Sequence, residues 1–213
     1  MRRFSRFVAA AVLAAALSAD GLSPRPATAT VPPGAGLCPA SGHIASVDFA
    51  FVPSLNSVAP GGQVAWDFCT TTGRNVVDAT PMGLFDSGSG VLGDPPFEFT
   101  FIAAGQYPYV CSFHPGMAGR IRVKMDAVPH DGSLASSFAL TWASTSAPKG
   151  YAYDVQIRRP ASDRWRSWKR AVSPPGHSFH PDAGPGPYRF RSRLRSVGNG
   201  HADWSKTATI HLH

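Results

Sequence analysis

The sequence predicts an all-β protein: a Greek-key β-sandwich followed by a second β-sandwich. Three observations point there. Short apolar or alternating stretches recur between Pro- and Gly-rich turns, nothing beyond the leader offers a helix of useful length, and charge divides the chain into unlike halves. Residues 30–134 carry 4 Lys and Arg against 8 Asp and Glu, whereas 135–213 carry 12 against 4. The overall charge of +7 therefore belongs to the second half and the leader, and two domains are expected rather than one.

The chain opens MRRFSRFVAAAVLAAALSA, with three arginines, an apolar run from Phe7 to Leu17 and then small residues. This is the pattern of an export signal, expected over 1–29 with cleavage after Ala19 or Ala29. The run is too short to span a bilayer, which takes about 20 apolar residues, and no later transmembrane segment is expected. A secreted or cell-envelope location follows, and with it permission for disulfides. There are three cysteines. Cys38 and Cys69 can pair and leave Cys111 free; a chain with no disulfide is the alternative, since connectivity is not written in sequence.

The first domain is expected over 38–125. IASVDFAFVP from Ile44 reads as strand, Pro60-Gly61-Gly62 as a turn and VAWDF as the next strand. FEFTFIAAG over 97–105 alternates aromatic with polar residues, QYPYVC follows as a strand, and GRIRVKM from Gly119 closes the unit. DAVPHDGSL is polar and turn-rich, and 126–134 is read as a linker. The second domain, 135–213, has its own β pattern in FALTWAS, YAYDVQIRR, WRSWKRAV and YRFRSRLRSVG. In the last of these Arg189, Arg191, Arg193 and Arg195 alternate with Tyr188, Phe190, Ser192 and Leu194, so a strand puts the four arginines on one face and leaves the other for core.

The stretch YVCSFHPGMAG places Cys111, His114 and Met117 three residues apart on one loop, between an aromatic-rich strand and a Gly-led apolar one. A thiolate, an imidazole and a thioether are soft donors that suit copper. With its Y-x-Y-x-C approach through Tyr107 and Tyr109, the loop resembles that of the cupredoxins, the small blue-copper electron carriers, and most of all the short-loop amicyanin type. The resemblance covers about residues 38–125. It implies one copper ion held by Cys111, His114 and Met117, single-electron transfer or Cu(I) holding, and a redox partner protein. It also implies a second histidine eight residues after the tryptophan of a V-x-W strand. Eight residues after Trp66 stands Arg74, followed by Asn75 and Val76, and no histidine lies between His43 and His114.

Three readings of that gap stay open. Copper is held by the three loop donors with an external group in the fourth position; or the fold has lost its metal and Arg74 sits over the former site as a fixed cation; or a ligand such as His43 swings in. Catalysis is not expected. Multicopper oxidases need several His-x-His pairs, and only His211 and His213 at the end of the chain make one; G-x-S-x-G, H-E-x-x-H and a phosphate-cradling glycine loop are missing.

The second domain resembles a fibronectin type III module, on Trp142 in LTWA, GYAYDVQIR and PGPYRFRSRLRSVGNGHADWS. The resemblance implies docking or adhesion, a corner role for Tyr188, and stacking of Trp204 on strand arginines. The arginine face is either solvated or answered by an anionic partner of the cell envelope; nucleic acid fits the charge but not an exported address.

Overall fold

The computed structural model describes residues 38–198 and 200–213. The expected export signal over 1–29 lies outside the described residues. Among the described residues every regular element is a strand, and no helix is long and apolar enough to cross a membrane. The all-β expectation holds.

The chain runs through β1 (Ile44–Val47), β2 (Ala50–Val52), β3 (Leu55–Val58), β4 (Gly62–Phe68), β5 (Val77–Asp78), β6 (Phe97–Phe101), β7 (Gly105–Val110) and β8 (Ala118–Val123). These make two four-stranded sheets, ordered β2-β1-β4-β6 and β3-β8-β7-β5. In each, one pair is parallel, β1 with β4 and β3 with β8, so the chain crosses between sheets rather than meandering. The core between the sheets is aromatic. Trp66 of β4 is fully buried, meets Tyr109 of β7 edge-on at 5.4 Å and lies 5.7 Å from Phe97, while Phe51 of β2 packs on Tyr109 at 4.8 Å. Such edge-to-face pairs each add about 0.5–1.5 kcal/mol beyond area burial.

Then come β9 (Asp126–Val128), β10 (Asp131–Gly132), β11 (Phe138–Thr141), β12 (Tyr151–Arg158), β13 (Arg166–Val172), β14 (Gly176–Phe179), β15 (Gly186–Ser196) and β16 (Ala208–Leu212). They form a three-stranded sheet, β14-β11-β9, and a five-stranded one, β10-β16-β15-β12-β13. Along β15 Tyr188, Phe190, Ser192 and Leu194 are buried and the four arginines lie on the other face, as the alternation requires. The segment 126–134, expected as a linker, is instead structural: β9 pairs antiparallel with β11, and β10 pairs with β16. Its polar, turn-rich text hides short strands whose side chains alternate over only two or three residues, too few to register as a pattern.

One apparent strand is also two. IASVDFAFV folds back on itself at Asp48-Phe49, so that Val47 pairs with Ala50. Phe49 adopts φ of 57°, a left-handed conformation that costs a bulky residue about 1–3 kcal/mol.

The halves meet through backbone. The β6–β7 connection bonds to the second half at Ala104 N–H to the Trp142 carbonyl (2.7 Å) and Ser144 N–H to that of Ile102 (2.9 Å). Gln106 and Asp203 exchange N–H···O bonds of 2.9 and 3.1 Å, and the Gln106 amide donates to the Trp204 carbonyl at 2.8 Å.

Candidate metal centre

The loop after β7 is a tight, internally bonded turn. Cys111 N–H donates to the Met117 carbonyl (3.0 Å), Met117 N–H to that of His114 (3.1 Å) and His114 N–H to that of Cys111 (3.4 Å). These bonds fold the three-residue spacings back on themselves, and Cys111, His114 and Met117 are brought onto one short loop. Cys111 and Met117 are buried, and His114 is half-buried. The Cys111 Sγ and His114 Nδ1 stand 3.3 Å apart. Two ligands of one metal at about 2.3 Å (sulfur) and 2.0 Å (nitrogen), at a tetrahedral angle, lie about 3.5 Å apart. The thiol and imidazole thus already have nearly the separation that a shared metal imposes.

Two neighbours fix the loop from outside. Asn75 is buried and clamps Ser112: its Nδ2–H donates to Ser112 Oγ at 2.7 Å, and its Oδ1 accepts from Ser112 N–H at 2.8 Å. At the exit, Gly119 lies directly against the Tyr109 ring and hydroxyl, so a Cβ there would collide with them. Burial pushes the Tyr109 phenol up to about 12, with the Trp66 indole pulling weakly the other way. Burial also raises Tyr107, whose hydroxyl donates to the Ala103 carbonyl at 2.7 Å.

Arg74 is 2% exposed. Its Nη1 donates to Thr72 Oγ1 (2.7 Å) and to the carbonyls of Gly73 (3.0 Å) and Thr72 (3.3 Å), and its Nη2 to Asp48 Oδ1 (3.1 Å). Its buried Nε–H has no partner among the described residues. The guanidinium carbon lies 5.9 Å from the centre of the Phe49 ring, and that ring meets His114 edge-on at 5.3 Å. Phe49 therefore bridges the arginine and the loop histidine while itself 71% exposed. Sequence reasoning missed it, since an aromatic gives no signal for a left-handed turn; the cue was Asp48, a turn former.

His43 is engaged elsewhere. Its Nδ1 lies 3.1 Å from both carboxylate oxygens of Asp67, at the start of β1 and away from the Asp48-Phe49 turn at its other end. Cys38 and Cys69 form a disulfide with Cα atoms 5.6 Å apart, and Cys111 is free. Among the described residues no group of three or more His, Cys, Asp or Glu is gathered to hold a metal, so the soft trio on the loop is the donor set at issue.

On the second half the arginine face is interleaved with tryptophan. Arg191 stacks on Trp165 (4.3 Å) and Trp204 (4.9 Å), Arg193 on Trp204 (4.3 Å) and Arg158 on Trp165 (5.3 Å). Arg191 donates twice to Gln156 Oε1, at 2.9 and 2.7 Å. Burial, with Arg193 and Arg158 alongside, draws Arg191 below the usual guanidinium range. Tyr188 sits against the turn before β15, its hydroxyl accepting from Ala183 N–H (2.7 Å) and donating to the Ala183 carbonyl (2.6 Å).

The class defined by this architecture is an all-β protein of paired sheets. No family profile and no curated protein matches the chain. Among solved structures it is similar to a purple cupredoxin from Nitrosopumilus maritimus, 31% identical over 35% of this chain and 81% of that one, with a TM-score of 0.32. It is also similar to a mutant amicyanin in its reduced Cu(I) form, 25% identical over 40% of this chain and 85% of that one, with a TM-score of 0.35. A copper-containing nitrite reductase from Thermus scotoductus SA-01 is 26% identical over 41% of this chain but only 23% of its own, with a TM-score of 0.35. Each likeness covers less than half of this chain.

Proposed function

We propose that this is an exported copper-handling protein, in which Cys111, His114 and Met117 hold one copper ion on the loop and the second half is a fibronectin-like docking module. The observation that carries the reading is the 3.3 Å approach of Cys111 Sγ to His114 Nδ1 on a loop that Asn75 clamps in place. Copper held there supplies one-electron exchange or a stored Cu(I). Cys111 gives the thiolate, His114 the imidazole and Met117 a weak thioether. Arg74 adds a fixed positive charge, offset in part by the solvent-exposed Asp48. A nearby cation penalises a divalent ion more than a monovalent one, so the site favours Cu(I). Export is supported by the leader and by the disulfide. Strand order β14-β11-β9 against β16-β15-β12-β13 and the Tyr188 corner support the fibronectin-like reading. We assign the protein no catalysis, a redox partner protein at the loop, and an anionic cell-envelope partner for the arginine face.

The test is copper titration of the full chain with Cu(I) and Cu(II), reading retained metal and the visible spectrum, beside Cys111→Ser and Arg74→His. One tightly held Cu(I), lost in Cys111→Ser, is expected. Arg74→His should raise Cu(II) affinity relative to Cu(I), because it removes a fixed unit charge near the loop and puts an imidazole in its place. A second reading, a cupredoxin fold without metal, is favoured by the deep burial of Arg74; absence of retained copper in any state would establish it.

A further inference from the structure

We propose that the second sandwich carries an anion-binding cleft, distinct from the metal loop, that takes a small soluble ligand bearing two or more phosphate- or sulfate-type oxyanions. This rests on the anionic-partner reading of the arginine face and narrows it to different residues. A concave space of about 440 Å³ is bounded by Asp154, Lys169, Arg170, Arg193, Arg195 and His201. Arg189 and Arg191 of the row do not line it.

Four permanent cations share this space with one carboxylate. Asp154 accepts from Arg193 Nε and Nη2 at 3.3 Å each, pairs with Arg195 Nη1 at 3.8 Å and accepts from Ala171 N–H at 3.1 Å. Its one charge is thus divided, and three positive charges remain in surplus. The side chains of Arg170, Arg195 and Lys169 make no hydrogen bond among the described residues; Lys169 rests its ammonium on Trp168 at 5.0 Å. Such donors gathered in a concavity are satisfied by solvent or by oxyanions, and guanidinium forks match tetrahedral oxyanions bidentately. Trp204 holds Arg193 in place from its face, so part of the ordering cost is met before any ligand arrives. The volume falls in the range of ligand pockets, roughly 300–1,000 Å³. A flat bilayer cannot fill a concavity of this kind, which favours a soluble ligand over a membrane.

Two ordinary features build the cleft. The β12–β13 pairing shifts register between Tyr153 and Gln156, where Ala171 takes a left-handed φ of 53°, and this irregularity lies between the strand-borne Lys169 and the β15 arginines. The β15 alternation then supplies Arg193 and Arg195 from the other side.

The experiment is calorimetric titration of the full chain at low salt with inorganic pyrophosphate, and in parallel cosedimentation with phosphatidylglycerol vesicles. The expected result is one saturable pyrophosphate site, weakened about tenfold by Arg195→Gln and by Lys169→Gln, the loss of one charge-assisted contact. Arg189→Gln should leave it unchanged, with no vesicle association. Thermal melting of each variant reports folding, and Lys169→Gln, which breaks no internal hydrogen bond, keeps the test valid if Arg195→Gln misfolds. Equal weakening by Arg189→Gln would overturn the cleft while leaving the broader arginine-face reading intact. Vesicle binding without a pyrophosphate site would overturn it in favour of a membrane, and binding of neither would overturn both.

Discussion

Asn75 and Ser112, 37 residues apart in sequence, are joined by two hydrogen bonds that tie the segment carrying Arg74 to the loop carrying Cys111. The clamp uses both ends of one carboxamide, so a single side chain sets the spacing between the Arg74 segment and the Cys111 loop.

Asn75→Ala removes both bonds and leaves the Ser112 N–H without its acceptor. A destabilisation of about 1–3 kcal/mol is expected in urea unfolding. Copper affinity should fall further than Asn75→Asp lowers it, because aspartate still accepts from the backbone N–H. Equal behaviour of the two variants would show that the amide donor, not the backbone bond, holds the loop.

Gly119→Ala places a methyl group against the Tyr109 ring and hydroxyl. Overpacking of this kind costs about 1–3 kcal/mol. Tyr109 is buried and meets both Trp66 and Phe51, so the strain should appear as a lower melting temperature and as altered near-ultraviolet circular dichroism of the aromatic cluster.

The disulfide closes a loop of 31 residues. Chain-entropy arguments put its contribution at about 3–4 kcal/mol, which the double variant Cys38→Ser/Cys69→Ser should lose. Alkylation in denaturant without reductant should modify one thiol per chain, Cys111, and in the native state that thiol should react slowly because it is buried. Three modified thiols would mean that the bond is absent in solution.

Alkaline pH should unfold the first half through its tyrosines. Burial raises Tyr109 from 10.0 to about 12, so the folded state keeps a proton that the unfolded chain gives up. The stability this contributes is complete below about pH 10 and is lost as pH rises toward about 12. Urea midpoints should be flat from pH 8 to 10 and fall above it, and Tyr109→Phe should shallow the fall. Tyr107, raised by burial as well, sharpens the same limb.

Much of the fold was legible because its signals are periodic. β15 alternates over 11 residues, and the copper-type loop has fixed spacings between two strands with distinct composition. What escaped reading was short or irregular. Phe49 turns the chain in a left-handed conformation that its own side chain does not announce, with only Asp48 before it as a cue; β3 spans 4 residues, and β9 and β10 span 3 and 2 within polar text. The Cys111–Met117 loop and Arg74 could be singled out in the sequence, but not the bonds that hold that arginine, since Asp48 and Thr72 acquire their roles only through the β1–β2 turn. The cleft depends on a register shift, which no single-strand pattern contains.

β7 has the second half at its start, where Gln106 bonds to Asp203, and the Cys111–Met117 loop at its end, where Cys111 follows Val110. Those ends are separated by a six-residue strand, about 20 Å of rigid backbone. The strand acts as a standoff. A ligand held by the basic half would leave the Cys111 loop free, with Phe49 and Phe113 as exposed rings beside it. Binding at the basic half and contact at the loop would then proceed at separate ends of the strand without competing for surface.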